Sequence, residues 1–420
     1  MSGSSGGAAE AAASAGDVWR KVSFAGAAIG VVAAGAAAGV AVERLTVGRG
    51  MRKKARLALD ATGSYGSLRG TPGTAIADDG TELHYEIEEL GERGGARKDD
   101  SGESGGGRSR RSVFGRRRAP AVTVVFSHGY CLSQDSWHFQ RAALRGAVRC
   151  VYWDQRSHGR SGRGIAQAES GEPVSIDRLG QDLKTVIEAA APEGPLVLVG
   201  HSMGGMTVMA LAAQYPELVR ERVRAVALVG TSAGRLSEVS YGLPMAGVKA
   251  VRRVLPGVLR ALGQRADLVE RGRRATADLF AGLIKRYSFA AKDVDPAVAR
   301  FAERLIESTP IDVVAEFYPA FAEHDKTAAL ARFTDLPVLV LSGEQDMITP
   351  SGHSEAIAAL LPDAELVVVP EAGHLVMMEY PELVTDRLVE LLVRAGAVRA
   401  GANVGDYGAS STGGSAEQGG

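Results

Sequence analysis

From residue 122 onward, short apolar runs alternate with longer segments in which apolar positions recur every three or four residues. Short apolar runs are typical of buried strands, and the periodic segments are typical of amphipathic helices. This alternation predicts an α/β fold, a doubly wound and mostly parallel sheet with helices on both faces. The predicted strands are Val122–Phe126, Val148–Trp153, Leu196–Val199, Val223–Val229, Pro337–Leu341 and Leu366–Val369, and the predicted helices are Ser136–Leu144, Ile176–Ala190, Met203–Tyr215, Ser354–Leu361 and Pro381–Ala395.

Two regions break the alternation. Thr74–Ala77 and Glu82–Ile87 flank an Asp-Asp-Gly turn, which predicts a hairpin at the antiparallel edge of the sheet. Roughly 100 residues then separate Val229 from Pro337, a length that a structureless loop rarely has in a compact domain. Helical periodicity interrupted by prolines fills residues 232–334, so this interval is predicted to be an inserted helical cap.

Composition divides the rest of the chain. Residues 1–21 and 398–420 are dominated by small and polar residues, so both ends are predicted to be disordered. Residues 43–73 form a basic linker, and a Gly- and Arg-rich insert at 91–119 is predicted to be a solvated loop. The α/β core is predicted in two parts, 74–231 and 335–397, on either side of the cap.

Val22–Val42 is a run of 21 residues without a charge, long enough to cross a bilayer. Because it consists largely of Ala and Gly, three interpretations compete: a transmembrane anchor, a cleaved signal peptide and an Ala-rich soluble helix. Six cations follow the run within residues 44–56, whereas only Arg20 and Lys21 lie just before it. By the positive-inside rule the residues that follow the run are expected on the cytoplasmic side of the membrane. If the segment does not insert, the expected location is the cytoplasm.

Charge and cysteine content exclude several classes of protein. The formal net charge is −1, so no overall field favours nucleic acid as a partner. The two cysteines, Cys131 and Cys150, are too few for a disulfide scaffold and fit a reducing compartment. Both are expected to be buried, inert thiols. The sequence carries no cofactor fingerprint, so neither an organic cofactor nor a metal is expected.

The segment Gly200-His201-Ser202-Met203-Gly204 lies between an apolar run and a helix-like segment. A strand-to-helix turn of the form G-x-S-x-G holds its central residue in strained backbone geometry, and the two glycines avoid clashes there. The motif alone is a weak signal in a chain with 53 glycines. Its place between strand and helix makes Ser202 the candidate nucleophile.

A serine nucleophile needs a base, and the base needs an orienting acid. Asp346 follows one predicted strand and His374 follows the next, at the carboxyl ends where doubly wound sheets place their sites. Ser202, Asp346 and His374 therefore form the predicted triad, in the chain order Ser, acid, His. Glu344 is the rival acid, and His353, at the start of a predicted helix, is the rival base.

Acyl transfer also needs two hydrogen-bond donors for the oxyanion that develops on the substrate. The backbone N–H of Met203 is one candidate, because it follows the nucleophile directly and lies at a helix N-terminus. The other is the backbone N–H of Tyr130, in the loop after the strand Val122–Phe126, where Gly129 permits the turn. His128 in the same loop is interpreted as a structural hydrogen-bonding residue.

These features are similar to those of the α/β-hydrolase superfamily over about residues 74–395, specifically its capped, epoxide-hydrolase-like or haloperoxidase-like branch. The resemblance implies the fold and leaves the substrate open. The motifs that carry it are His128-Gly129 followed by Trp137, Asp154-Gln155-Arg156-Ser157-His158-Gly159-Arg160-Ser161, the elbow around Ser202, and the late Asp346 and Gly373-His374.

Two departures from better-defined members narrow the expected activity. Epoxide hydrolases and haloalkane dehalogenases of this branch carry Asp at the elbow, so Ser202 disfavours both activities. Proline iminopeptidase-like members commonly have Trp after the nucleophile, where this chain has Met203, so a peptidase activity is disfavoured as well. The pattern is similar to carboxylesterases, lipases and monoacylglycerol-lipase-like enzymes, which implies a serine hydrolase whose Ser202 attacks an ester carbonyl. The Ala/Gly segment and the apolar predicted cap favour a small-molecule substrate with a hydrophobic acyl group. The alternatives are a C–C bond hydrolase or cofactor-free perhydrolase with the same triad, and a slow-turnover ligand-binding receptor.

Overall fold

A computed structural model describes residues 65–91, 121–170, 172–236, 257, 287–291 and 293–398. Outside the described residues lie the predicted anchor Val22–Val42, the two predicted disordered ends apart from Val398, nearly all of the insert and much of the cap interval. The division of the chain into domains stays a prediction. In the part of the chain that the structure describes, no helix combines the length and apolar character needed to span a bilayer.

Eight strands form a single sheet in the order β1-β2-β4-β3-β5-β6-β7-β8. The strands are β1 (Thr71–Ile76), β2 (Glu82–Glu88), β3 (Thr123–Ser127), β4 (Arg149–Trp153), β5 (Leu196–His201), β6 (Val223–Val229), β7 (Val338–Gly343) and β8 (Glu365–Val369). The β1–β2 and β2–β4 pairs are antiparallel, and the other five pairs are parallel. The sheet confirms the predicted α/β class and the antiparallel hairpin at its edge.

Helices connect the parallel strands and cover both faces of the sheet. They are α1 (His138–Leu144), α2 (Ile176–Ala190), α3 (Met203–Gln214), α4 (Pro216–Arg222), α5 (Pro296–Glu307), α6 (Ile311–Glu323), α7 (Ser351–Leu360), α8 (Val376–Glu379) and α9 (Pro381–Arg394). Helices α5 and α6 lie between β6 and β7 in the chain, inside the interval that was predicted to be a cap. They are the part of that interval in which the structure describes long helices.

Some helix boundaries differ from the prediction. Helix α7 begins at Ser351, directly after Pro350, whose extended ψ of 148° precedes the first helical residue. The predicted helix Ser136–Leu144 begins instead as a 3-10 turn, Gln134–Trp137, and is α-helical only from His138. Capping geometry of this kind is local and hard to place from apolar spacing.

The central strands bring the candidate residues to one edge of the sheet. All six residues of β5 are buried, as expected for a parallel strand covered on both faces. The loops that follow β3, β5, β7 and β8 carry Tyr130, Ser202, Asp346 and His374 respectively. Because β3, β5, β6, β7 and β8 run parallel, these loops all leave the same edge of the sheet.

A buried cation ties the antiparallel hairpin to this framework. Arg141 of α1, with a side chain only 1% exposed, contacts Glu86 at 2.5 Å and Glu88 at 2.8 Å. Burial alone would raise the pKa of Glu86, but hydrogen bonds, among them those from the Gly70 N–H and Arg141, lower it to about 2. Arg141 therefore compensates two carboxylates that β2 carries into the interior.

Candidate active site

The turn between β5 and α3 places Ser202 in a strained backbone conformation. Ser202 has φ 52° and ψ −119°, a region that residues with a side chain rarely adopt. The neighbouring glycines are required by packing, since a Cβ on Gly200 would lie 2.5 Å from backbone atoms of Gly204, and one on Gly204 would overlap the carbonyl group of Ser127. The turn has the geometry of a nucleophile elbow.

Ser202, His374 and Asp346 form a chain of hydrogen bonds. The Ser202 Oγ lies 3.0 Å from His374 Nε2, and His374 Nδ1 lies 2.7 Å from Asp346 Oδ2. Because an ionised carboxylate only accepts hydrogen bonds, His374 Nδ1 is the donor to Asp346, and in a neutral imidazole Nε2 is then the acceptor that faces the serine hydroxyl. The structure thus brings together the three side chains that the sequence predicted as a triad.

The Asp346 carboxylate is buried and held by donors from its own loop. Its Oδ1 accepts the N–H groups of Ile348 at 2.7 Å and Thr349 at 2.9 Å. Burial alone would raise the pKa of Asp346, but the interaction with His374 and these hydrogen bonds outweigh it, so the pKa lies below its ordinary value of 3.8. Asp346 is therefore ionised at neutral pH.

Thr349 is a site residue that the sequence analysis missed. Its hydroxyl lies 2.9 Å from Asp346 Oδ2 and 2.8 Å from the carbonyl oxygen of Gly230. One hydroxyl proton serves only one of these acceptors at a time. The position of Thr349, three residues after Asp346 in the same loop, is the only sequence signal that could have identified it.

Glu344, the alternative acid, and His353, the alternative base, make their hydrogen bonds outside the triad. The Glu344 side chain is exposed and accepts a hydrogen bond from the Glu371 N–H at 3.5 Å. The ring of His353, on α7, lies 2.9 Å from the Ser232 hydroxyl. Neither side chain joins the hydrogen-bond chain of Ser202, His374 and Asp346.

The two backbone N–H groups proposed for the oxyanion flank the nucleophile. Met203 is the first residue of α3, where helix N–H groups have no intrahelical partner. Within the described residues, neither the Met203 N–H nor the Tyr130 N–H donates to another backbone group. A Cβ on Gly129 would lie 3.1 Å from Ser202 Cβ and 2.7 Å from His201 Nδ1, so the loop before Tyr130 passes directly against the elbow. The oxyanion role of the two groups stays a prediction.

His128 is buried beneath this loop and uses both ring nitrogens. Nδ1–H donates to the Gly129 carbonyl oxygen at 2.7 Å, and Nε2 accepts the Gln155 N–H at 2.9 Å. Burial lowers the pKa of His128 to about 4, so the ring is neutral. This arrangement agrees with its interpretation as a structural residue.

His201, the residue before the nucleophile, contacts the backbone of the base. Its Nε2–H donates to the carbonyl oxygen of His374 at 2.9 Å. Burial lowers the pKa of His201 to about 3, so the ring stays neutral and keeps a single N–H for this bond. The sequence marked His201 only as a variable position of the elbow motif.

Helix α6 packs on the loop that carries Tyr130. The Tyr130 hydroxyl donates to the carbonyl oxygen of Val314. The Tyr130 ring lies 5.0 Å from that of Phe321 and 6.2 Å from that of Phe317, measured between centroids. An apolar, aromatic surface of the interval between β6 and β7 therefore lies against the candidate oxyanion loop.

Neither cysteine joins the hydrogen-bond chain of Ser202, His374 and Asp346. Cys150 is buried in β4, and burial raises the pKa of its thiol to about 12, whereas Cys131 is only half-buried. The expectation of a buried thiol was thus wrong for Cys131, which follows Tyr130 in the loop after β3 at φ 58°. Among the described residues, no group of three or more His, Cys, Asp or Glu side chains is arranged to hold a metal ion.

Comparison with known proteins shows the family to which this fold belongs. A family model described as the alpha/beta hydrolase fold matches residues 122–381, more than half of the chain. The sn-1-specific diacylglycerol lipase ABHD11 of Mus musculus is 28% identical over 286 residues, which cover 65% of this chain and 82% of the relative. A non-heme haloperoxidase of Rhodococcus erythropolis is 28% identical over 256 residues, covering 60% of this chain and 85% of the relative.

The fold has solved counterparts as well. A thermophilic esterase from Thermogutta terrifontis matches with a TM-score of 0.55 at 24% identity, covering 77% of this chain and 98% of the esterase. At that identity the match shows the fold alone. With the family model, the strand order and the elbow in agreement, this chain belongs to the α/β-hydrolase family of enzymes.

Proposed function

We propose that this chain is a serine hydrolase that cleaves a carboxylic ester through an acyl-enzyme on Ser202. The observation that carries the proposal is the hydrogen-bonded chain from Ser202 through His374 to Asp346, with separations of 3.0 and 2.7 Å. These are the distances at which a base can take a proton from a nucleophile and an acid can orient that base.

The proposed reaction begins when the Ser202 oxygen attacks the ester carbonyl while its proton passes to His374 Nε2. Asp346, already ionised, stabilises the imidazolium that results and does not itself take the proton. His374 then gives that proton to the departing alcohol oxygen, and the C–O bond breaks to leave the acyl group on Ser202. A water molecule, deprotonated by His374, attacks the acyl-enzyme. The C–O bond to Ser202 then breaks, His374 returns the proton to the Ser202 oxygen, and the carboxylic acid leaves.

The tetrahedral intermediates carry a negative oxygen that we assign to the N–H groups of Met203 and Tyr130. Removing one such donor costs about 3–4 kcal/mol of transition-state stabilisation in a well-studied hydrolase. The position of Met203 at the start of α3 supports the assignment, because a helix N-terminus favours negative charge.

A hydrophobic acyl group is the proposed substrate feature. The half-buried aromatic side chain of Phe321 beside Tyr130 supports it, and the diacylglycerol lipase among the relatives acts on a lipid ester by its name. The predicted membrane segment Val22–Val42 would bring the enzyme close to such a substrate on the cytoplasmic side.

Replacement of the nucleophile tests the proposed function. Ser202→Ala is expected to lower kcat for p-nitrophenyl esters by at least about 10⁴-fold, because no acyl-enzyme can form. The matched control is Ser232→Ala, which removes the hydroxyl of a second serine–histidine pair, the one with His353 outside the triad, and is expected to keep the parent kcat. Hydrolysis by Ser202→Ala at the parent rate would contradict the proposal.

A perhydrolase reaction on the same triad is the second candidate, and the haloperoxidase among the relatives favours it. In that reaction hydrogen peroxide, instead of water, attacks the acyl-enzyme and releases a peracid. Product analysis with and without peroxide separates the two: an ester hydrolase yields the carboxylic acid as its main product in both conditions, whereas a perhydrolase yields peracid when peroxide is present.

A further inference from the structure

The carboxylate of Glu379, at the end of α8, accepts three backbone N–H groups. One oxygen, Oε1, accepts Ala290 N–H at 2.9 Å and Ala291 N–H at 2.5 Å. The other, Oε2, accepts Gly373 N–H at 2.6 Å. Three donors on one side chain exceed what a neutral amide in the same place could accept, because an amide has a single oxygen.

The three donors come from two segments that are far apart in sequence. Gly373 directly precedes the candidate base His374, whereas Ala290 and Ala291 belong to the interval between β6 and β7. Two further contacts join the same segments: the Leu375 N–H donates to the Ser288 carbonyl oxygen at 2.9 Å, and a Cβ on Gly373 would lie 2.8 Å from the Ala290 nitrogen. Residues 288–291 therefore pack directly against the loop that carries His374.

The backbone around His374 is thus held from two directions. The His201 ring, from the elbow, donates to the His374 carbonyl oxygen at 2.9 Å. Glu379 accepts the N–H of the preceding residue, on the side of the 288–291 segment. The 3.0 Å separation between His374 Nε2 and Ser202 Oγ depends on where this backbone lies, since the ring is carried on it.

We infer that Glu379 is a positioning residue that fixes His374 for proton transfer and couples it to the 288–291 segment. This inference rests on the proposed function and adds to it a residue that does not touch the substrate. A misplacement of about 1 Å at a reacting group can cost about 10²-fold in rate. The position of Glu379, five residues after the base, carries no motif that would assign it this role.

The discriminating experiment compares two esters with the same acyl chain, a p-nitrophenyl ester and an alkyl ester. The p-nitrophenolate departs without a proton, whereas the alkoxide must receive one from His374. A displaced base therefore slows acylation by the alkyl ester more than acylation by the aryl ester. A loss of folded protein would lower both rates by the same factor, so the ratio of the two rates reports the position of His374.

In Glu379→Gln, the amide nitrogen must face at least one of the three N–H groups. We expect its acylation rate with the alkyl ester to fall about tenfold further than its rate with the aryl ester. The matched control is Glu371→Gln, which makes the same charge change on an exposed side chain three residues before His374; its ratio should equal that of the parent. If Glu379→Gln yields no folded protein, Glu379→Asp, which is too short to reach both segments, is measured in the same way.

The outcomes separate this inference from the proposed function. A parent enzyme that acylates with both esters, while the Glu379 variant keeps the parent ratio, overturns the inference alone. A parent enzyme that forms no acyl-enzyme with either ester overturns the proposed function and the inference with it. A ratio shifted by about tenfold in the Glu379 variant and unshifted in Glu371→Gln supports the positioning role.

Discussion

Ser202 is held at φ 52° and ψ −119°, a conformation that costs about 1–3 kcal/mol and persists only because the surroundings impose it. The sequence could predict this residue because the glycines at 200 and 204 are a local signature of the turn. It could not predict Thr349, His201 or Glu379 as partners of the triad. Their hydrogen bonds depend on which distant segments meet, and a residue type common on surfaces gives no sign of that.

The assignment of Asp346, and not Glu344, as the acid of the triad can be tested by replacing each side chain. In Asp346→Asn the amide can donate to His374 Nδ1, which places the ring proton on Nε2 and removes the base that faces Ser202. We expect kcat to fall by about 10⁴-fold, as for the equivalent change in a serine protease. Glu344→Gln, two residues away and exposed, is expected to keep the parent kcat. The reverse order of the two effects would move the acid to Glu344.

At the scale of elements, the strands were predictable and some helix ends were not. Each parallel strand is an apolar run bounded by turn residues, so the local sequence predicts it without any knowledge of tertiary contacts. Helix α7 and the 3-10 turn before α1 begin where capping and proline geometry place them. The hairpin β1–β2 was predicted from its turn, but its attachment to α1 through Arg141 was not, because the partners are more than 50 residues apart.

The attachment of the hairpin can be measured by replacing its cation. Arg141→Met removes the fully buried cation that contacts both Glu86 and Glu88, and leaves Glu86 with the Gly70 N–H and Glu88 with the half-exposed Arg145. We expect the free energy of unfolding to fall by about 3 kcal/mol, the lower end of the cost of breaking a buried ion pair. The control is Arg387→Met, since Arg387 pairs with Glu390 at the surface, where the two side chains are 41% and 55% exposed; such pairs contribute about 0–1 kcal/mol. Urea denaturation measures the free energy of unfolding of both variants, and an equal decrease in the two would contradict the assigned role of Arg141.

At the scale of the whole molecule, buried neutral histidines make stability depend on pH. Burial lowers the pKa of His128 to about 4 and those of His158 and His201 to about 3. Below pH 6.5, the ordinary pKa of histidine, these side chains bind protons in the unfolded chain but stay neutral in the folded protein. Their contribution to stability is therefore fully present above pH 6.5 and is lost as the pH falls toward the folded pKa values.

We accordingly expect the free energy of unfolding to fall between pH 7 and pH 5, by up to about 1.4 kcal/mol per pH unit for each of these histidines. Urea denaturation at several pH values measures the slope. In His201→Gln the amide can still donate to the His374 carbonyl oxygen, but one fewer group takes up a proton on unfolding. The free energy of unfolding should therefore change less steeply with pH in this variant. A stability that does not change between pH 7 and pH 5 would contradict the neutral, buried state of these rings.

The central claim is that the chain works through an ester bond formed on Ser202. Mass spectrometry of enzyme quenched during turnover of an ester detects this bond. We expect a mass increase equal to the acyl group, located on the peptide that contains Ser202 and absent from Ser202→Ala. Turnover without that adduct under conditions in which deacylation limits the rate, or an adduct on another residue, would contradict it.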